Sequence, residues 1–248
     1  MLQQIILQAA DRHLRRTLRS IDALGASDLR SFWKQYSGIK SVLDTAERHV
    51  SRTLIRPSED AQIPNLPADA LVSQRLDICR FPKLSAAVVR PVNGELIDEG
   101  CALFHNATRA DMCLIQRRNR GRQYAAPYAL CVETYDTDGD YVSLKLDLPF
   151  ADMLRPNHIL SVRTHLEADH RITGHLRLAL GKGAQVEYLT RSLEIENAEV
   201  SNAFDLHFAK TRMDGSQDAW IDLVFSSPSW NRVTLRDAVF VLTPRAEV

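Results

Sequence analysis

Along residues 1 to about 55 the apolar positions recur every three or four residues. Leu2, Ile6, Ala9, His13, Leu14, Thr17, Ile21 and Leu24 fall on one face of an amphipathic helix. Gly25 suits the end of that helix, and Ser27 with Asp28 suits the N-cap and first turn of the next. A second stripe runs Leu29, Phe32, Trp33, Tyr36, Ile39, Leu43, Ala46, Val50 and Leu54. Two such stripes joined by a short connection predict an antiparallel helical hairpin over 1–55. RPSEDAQIPNLPADA (56–70) holds three prolines and few large apolar residues, the composition of a linker.

Beyond residue 71 the period becomes two. In VSLKLDLP, Val142, Leu144, Leu146 and Leu148 alternate with Ser143, Lys145 and Asp147; HILSVRTHLE alternates through Leu160, Val162, Thr164 and Leu166. HLRLAL, SLEIE, FDLHF, AWIDLVF and RVTLRDAVFVL follow, separated by GKG, MDGS and SPSWN. Half-buried strands with turn signals at regular intervals predict a mainly β domain over 71–248. Its expected form is a two-sheet antiparallel jelly-roll sandwich of about ten or eleven strands.

The turn between the strands ending at Thr134 and beginning at Tyr141 carries Asp136, Asp138, Gly139 and Asp140. An EF-hand loop places a glycine at its sixth position, where this chain has Tyr141, and is flanked by helices. A three-residue hairpin loop, Thr137-Asp138-Gly139, with a left-handed Gly139 sets Val132 against Leu144 and keeps the apolar residues on one face. The loop is therefore expected to turn the chain, and calcium held by Asp136, Asp138 and Asp140 is the minority alternative. His165, His170 and His175 straddle a second expected hairpin, in which His165 and His175 would face each other and offer a weaker metal candidate.

Charge refines this picture only locally. Basic and acidic residues balance at 31 each, so no whole-molecule field favours nucleic acid or an anionic membrane. Apolar and charged fractions of 45% and 25% are those of an ordinary globular chain. Residues 1–55 are locally basic, nine Lys and Arg against five Asp and Glu, a net of +4. Arg12, Arg15, Arg16 and Arg19 share one helical face, suited to docking on an anionic partner or simply to solvation. Arg117, Arg118, Arg120 and Arg122 form a second basic cluster in RRNRGR, with Tyr124 the one aromatic nearby, so base stacking has little support.

No apolar run approaches the roughly 18 residues that span a bilayer, and the start lacks the features of a signal peptide. Cytoplasmic residence is the expectation, although non-classical export leaves no mark in sequence. Cys79, Cys101, Cys113 and Cys131 form no CxxC pair and read as small buried apolar residues in a reducing compartment. GxSxG, HExxH, GxGxxG and P-loop signatures are missing. No cofactor is expected beyond the calcium alternative. The remaining lead is aromatic: Trp220 begins AWIDLVF, and Trp230, beside Asn231, lies in the SPSWN turn, where flat rings can stack on the apolar faces of sugars.

AWIDLVFSSPSWNRVTLRDAVF (219–240) is loosely similar to the last two strands of galactose-binding-like jelly rolls, which implies fold more than function. VSLKLDLP, AWIDLVF, NRVTLRDAVF and the ending TPRAEV resemble an alphaproteobacterial domain-of-unknown-function family, which carries no residue roles over. The leading expectation is a non-catalytic binding protein. Its sandwich would recognise a carbohydrate or other polar ligand, and its hairpin would dock to an acidic partner or form a homo-oligomer. A structural or assembly protein without a small ligand is the alternative, and a hydrolase acting on glycans the third.

Overall fold

The computed structural model describes residues 25, 27–31, 34 and 63–246, apart from 85, 121–123, 183–184 and 196–197. Residues 27–31 are helical, beginning where Ser27 and Asp28 signal a helix start. The rest of the expected hairpin, with Arg12, Arg15, Arg16 and Arg19, lies outside the described residues, as does most of the expected linker. The chain divides into a unit Met1–His49 and a unit Val50–Val248. Within the described residues no helix is long and apolar enough to cross a membrane.

The β region forms two antiparallel sheets with their apolar faces against each other. One has six strands in the order β10 (Gln185–Ile195), β9 (Ile172–Lys182), β12 (Asp218–Ser226), β7 (Tyr141–Asp147), β4 (Cys101–His105), β3 (Glu95–Asp98). The other runs β11 (Ala198–Asp205), β8 (His158–Ala168), β13 (Asn231–Pro244), β6 (Tyr128–Thr134), β5 (Met112–Arg118), β2 (Val88–Val89). Its seventh strand, β1 (Val72–Arg75), pairs with the second half of β13. Alternation explains the arrangement. Leu144 and Leu146 of β7, Leu176 and Leu178 of β9, and Ile221 and Leu223 of β12 are buried from one side. Leu160 and Val162 of β8 and Phe240 and Leu242 of β13 meet them from the other, in one core cluster. Each such side chain contributes about 1.5–3 kcal/mol of burial.

β13 is bent where the alternation slips by one. Val233 and Leu235 are buried before the slip, and Ala238, Phe240 and Leu242 after it. The register with β8 shifts between Leu235 and Asp237, leaving Arg236 as the extra residue of a bulge. Before the bulge β13 pairs with β6; after it, with β1. Asp237, placed by the bulge, accepts a 2.9 Å hydrogen bond from Nε of Arg75, whose side chain is 1% exposed.

Several sequence expectations are corrected. The described residues form thirteen strands, and a helical turn, Asp77–Arg80, intervenes after β1. FDLHF is not a strand of its own: β11 ends at Asp205, whose carboxylate caps a 3-10 turn, Leu206–Phe208, by accepting from the His207 N–H. Neither of the two expected β-hairpins forms. β6 and β7 lie in different sheets, so Val132 pairs with Val233 and Leu114, while Leu144 pairs with Leu223 and Leu103. β8 and β9 also lie in different sheets. His165 pairs with Asp237 and Glu199, and His175 with Val224 and Ser192, so the two imidazoles belong to opposite sheets.

Gly139 is not left-handed; the positive-φ glycines among the described residues are Gly94 and Gly215. Space is what requires a glycine there, because a Cβ would lie 2.9 Å from Ala107 Cβ and 3.0 Å from its backbone nitrogen.

Candidate functional site

The aspartate connection passes from one sheet to the other and is bound to the loop 106–109. Asn106 and Asp140 pair reciprocally: Asn106 Nδ2 donates to the Asp140 carboxylate at 3.0 Å, and the Asp140 N–H to Asn106 Oδ1 at 2.9 Å. Asp138 accepts from the Thr108 hydroxyl and, at 2.9 Å, from the Arg109 N–H, which hold its carboxyl below the usual range. Asp136 meets Arg109 Nη2 at 2.9 Å. The three carboxylates are thus drawn to different donors. Among the described residues no group of three or more His, Cys, Asp or Glu is placed to hold a metal.

The residues singled out as ligand contacts are separated. Trp230 follows the end of β12, 66% exposed, with φ +55° and its N–H donated to the Tyr135 carbonyl at 3.1 Å. Asn231 is buried, and both ends of its amide are engaged. Its Oδ1 accepts from the N–H groups of His170 and Arg232, and its Nδ2 donates to the His170 carbonyl. That amide locks two loops and is withdrawn from ligand contact. Trp220 sits near the start of β12; six residues of strand, roughly 20 Å, separate it from the end that bears Trp230. One small ligand does not bridge both rings.

Trp220 instead belongs to a surface the sequence reading missed, the outward face of the six-stranded sheet. One cross-strand row reads Tyr188, Ala179, Trp220, Asp147, and the next reads Thr190, Arg177, Asp222, Lys145. Asp222 ties the rows together. One oxygen accepts from Arg177 Nη2 and the other from Trp220 Nε1, both at 3.1 Å. Burial raises the Asp222 pKa, against the opposing pull of Arg177, Trp220 and Lys145. Lys145 Nζ lies 2.9 Å from Asp147 and 4.9 Å from the Trp220 ring centroid, and the Arg177 guanidinium lies 5.1 Å from that of Tyr188. Tyr188 remains half exposed. Small Ala179 between the rings leaves them two strand spacings apart, roughly 9.6 Å. Flat rings bordered by charged donors and acceptors suit a ligand with both apolar faces and many hydroxyls.

The basic run 117–122 does not form one patch. Arg117 extends outward and its Nη2 meets Glu133 at 3.3 Å; the next side chain, Arg118, points to the opposite face and lies 5.7 Å from the Tyr128 ring. Arg120 is exposed in the loop, and Arg122 lies outside the described residues. The outward face of the seven-stranded sheet holds a cavity of about 420 Å³ beside Arg117. Of the four thiols, Cys79, Cys101 and Cys131 are buried and Cys113 is half-buried, and burial raises the pKa of each.

Over its full length, residues 1–248, the sequence matches the family of unknown function DUF6478. The chain belongs to that family. No curated protein sequence matches it. Among solved structures it is similar to the xylan-binding CBM22-1 domain of Paenibacillus barcinonensis Xyn10C, at 10% identity and a TM-score of 0.37 over 65% of this chain and 95% of that one. It is also similar to a family 11 carbohydrate-binding module from Clostridium thermocellum in complex with a mixed-linked tetrasaccharide. There the identity is 9% and the TM-score 0.38, over 64% and 99% of the two chains. A third likeness is to the enzymatically active domain of tailspike protein 4 of bacteriophage CBA120. It has 8% identity and a TM-score of 0.43, and covers 58% of this chain but only 19% of that one. At such identities and TM-scores, ligand preference does not transfer.

Proposed function

We propose that the sandwich is a non-catalytic carbohydrate-binding domain whose ligand lies on the outward face of the six-stranded sheet. The observation that carries this is the row holding Trp220 and Tyr188, laid beside the Arg177–Asp222 and Lys145–Asp147 pairs. The rings supply stacking surface for the apolar sides of pyranose units, and their spacing is comparable with two linked sugars. Asp222, Asp147, Lys145 and Arg177 offer acceptors and donors to ring hydroxyls without moving far, because each is already held by a neighbour.

A glycan array on the full chain, followed by calorimetry on the best neutral oligosaccharide, tests this. Trp220→Ala is expected to weaken binding at least tenfold, as loss of a central aromatic contact does, and Tyr188→Ala to weaken it less. Absence of any glycan binding would sink the proposal. So would binding that survives both substitutions and is lost in Trp230→Ala, which would move the site to the loop end.

A further inference from the structure

The cavity on the opposite sheet has a different chemistry. Its floor is made by Ala129, Cys131 and Thr234, small residues of β6 and β13, with the Thr234 hydroxyl donating to Cys131 Sγ at 3.7 Å. Arg117, Arg232 and Arg236 rise around it with Glu167 and Asp169.

These groups are not equivalent. Arg236 has every nitrogen engaged: Nε and Nη2 both donate to one Glu167 oxygen, at 2.8 and 2.6 Å, and Nη1 reaches Asn119 at 3.4 Å. It holds Glu167 in place, with Tyr124 donating to the other oxygen at 2.6 Å. Arg232 spends one nitrogen on Asp169, at 2.8 Å, and Arg117 one on Glu133, at 3.3 Å. The other guanidinium nitrogens of Arg117 and Arg232 hydrogen-bond to no described residue.

Both guanidinium groups border the cavity, and Glu133, which Arg117 reaches, is the direct cross-strand partner of Arg232. Two forks with spare donors on the lining of one small cavity suit a planar oxyanion. Beside Arg232, the second Asp169 oxygen accepts from no described residue and can take a hydroxyl. Three guanidinium groups here face three carboxylates, Glu133, Glu167 and Asp169. The local charge is therefore balanced, which suits a monoanion better than a dianion.

We infer that this groove is a separate site for a small acidic sugar, a hydroxylated monocarboxylate. Arg117 and Arg232 hold its carboxylate, and Asp169 accepts one of its hydroxyls. This site shares no residue with the neutral-sugar face and stands independently of it.

The test is calorimetry or ligand-observed NMR on the full chain with glucuronate, glucose and glucose 6-phosphate. Arg117→Gln, Arg232→Gln and Trp220→Ala are compared with the parent. Both arginines are about half exposed, so their replacement leaves the fold intact. Glucuronate is expected to bind in preference to the other two, each arginine substitution to weaken it about tenfold, and Trp220→Ala to leave it unchanged. The site is overturned if glucuronate does not bind or binds no better than glucose. Equal or tighter binding of glucose 6-phosphate, or indifference to both arginine substitutions, also overturns it. Loss of glucuronate binding in Trp220→Ala alone would place the acid on the other sheet, refuting this groove while sparing the neutral-sugar proposal.

Discussion

The two sheets present the same kind of residue to each other and different kinds to solvent. Inward, both are mostly Leu, Ile, Val and Phe at alternate positions. Outward, the six-stranded sheet carries aromatic rings bordered by ion pairs, whereas the seven-stranded sheet carries arginines around a floor of small residues. The difference teaches where freedom lies in a sandwich. Core packing constrains every second residue of a strand, and the intervening ones can be given to chemistry without changing the fold.

The sharpest way to break the seven-stranded side is at the bulge. Asp237→Ala removes the carboxylate that faces the almost fully buried Arg75, and a loss of about 3–5 kcal/mol is expected from denaturant unfolding. The six-stranded side is broken next most strongly at Gly174. A Cβ there would stand 1.9 Å from the Val224 carbonyl oxygen, so Gly174→Ala must push β9 from β12. A loss of about 1–3 kcal/mol is expected, with weakened binding of neutral sugar because the row carrying Trp220 spans those strands.

A smaller effect sharpens the comparison by pH. Burial raises the Glu167 pKa, but hydrogen bonds from Arg236 and Tyr124 outweigh it and hold the folded value below the usual 4.5. A lowered carboxylate pKa contributes stability that is present above 4.5 and lost as pH falls through the folded value. Melting temperature measured from neutral to acid pH should therefore fall less steeply below 4.5 in Glu167→Gln than in the parent. Equal slopes would remove Glu167 from the pairs that hold the groove.

How much of this was legible in the sequence follows from what period two encodes. It says which residues of a strand share a face, and VSLKLDLP, HILSVRTHLE and AWIDLVF are strands with those faces buried. It does not say which strand lies alongside. The hairpins expected at 133–143 and 165–175 assumed that neighbours in sequence are neighbours in space, and in both cases the chain crosses to the other sheet instead. The slip in NRVTLRDAVFVL, from Val233 and Leu235 to Ala238, Phe240 and Leu242, was a readable sign of the bulge.

Trp220 was visible as an aromatic residue at a strand start. Tyr188, Arg177 and Lys145 were not, because they join it only through the order β10-β9-β12-β7. The arginine run at 117–122 misled in the opposite direction. Proximity along a strand scatters side chains to both faces, and Arg232, which lines the same cavity as Arg117, lies far along the chain.

The position of β13 carries one more consequence, for the ribosome rather than for the ligand. Among the described residues it is the last strand in sequence, yet it lies inside its sheet between β8 and β6, with β1 completing its far half. Until it has emerged, β6, β8 and β1 each keep an unfilled edge. The six-stranded sheet has all its strands once β12 ends at Ser226, before β13 begins at Asn231. The nascent domain therefore spends its last moments with one sheet complete and the other open along its middle, waiting for a strand that must insert rather than add. Pairings of such long sequence separation form slowly, and open edges are where chains aggregate.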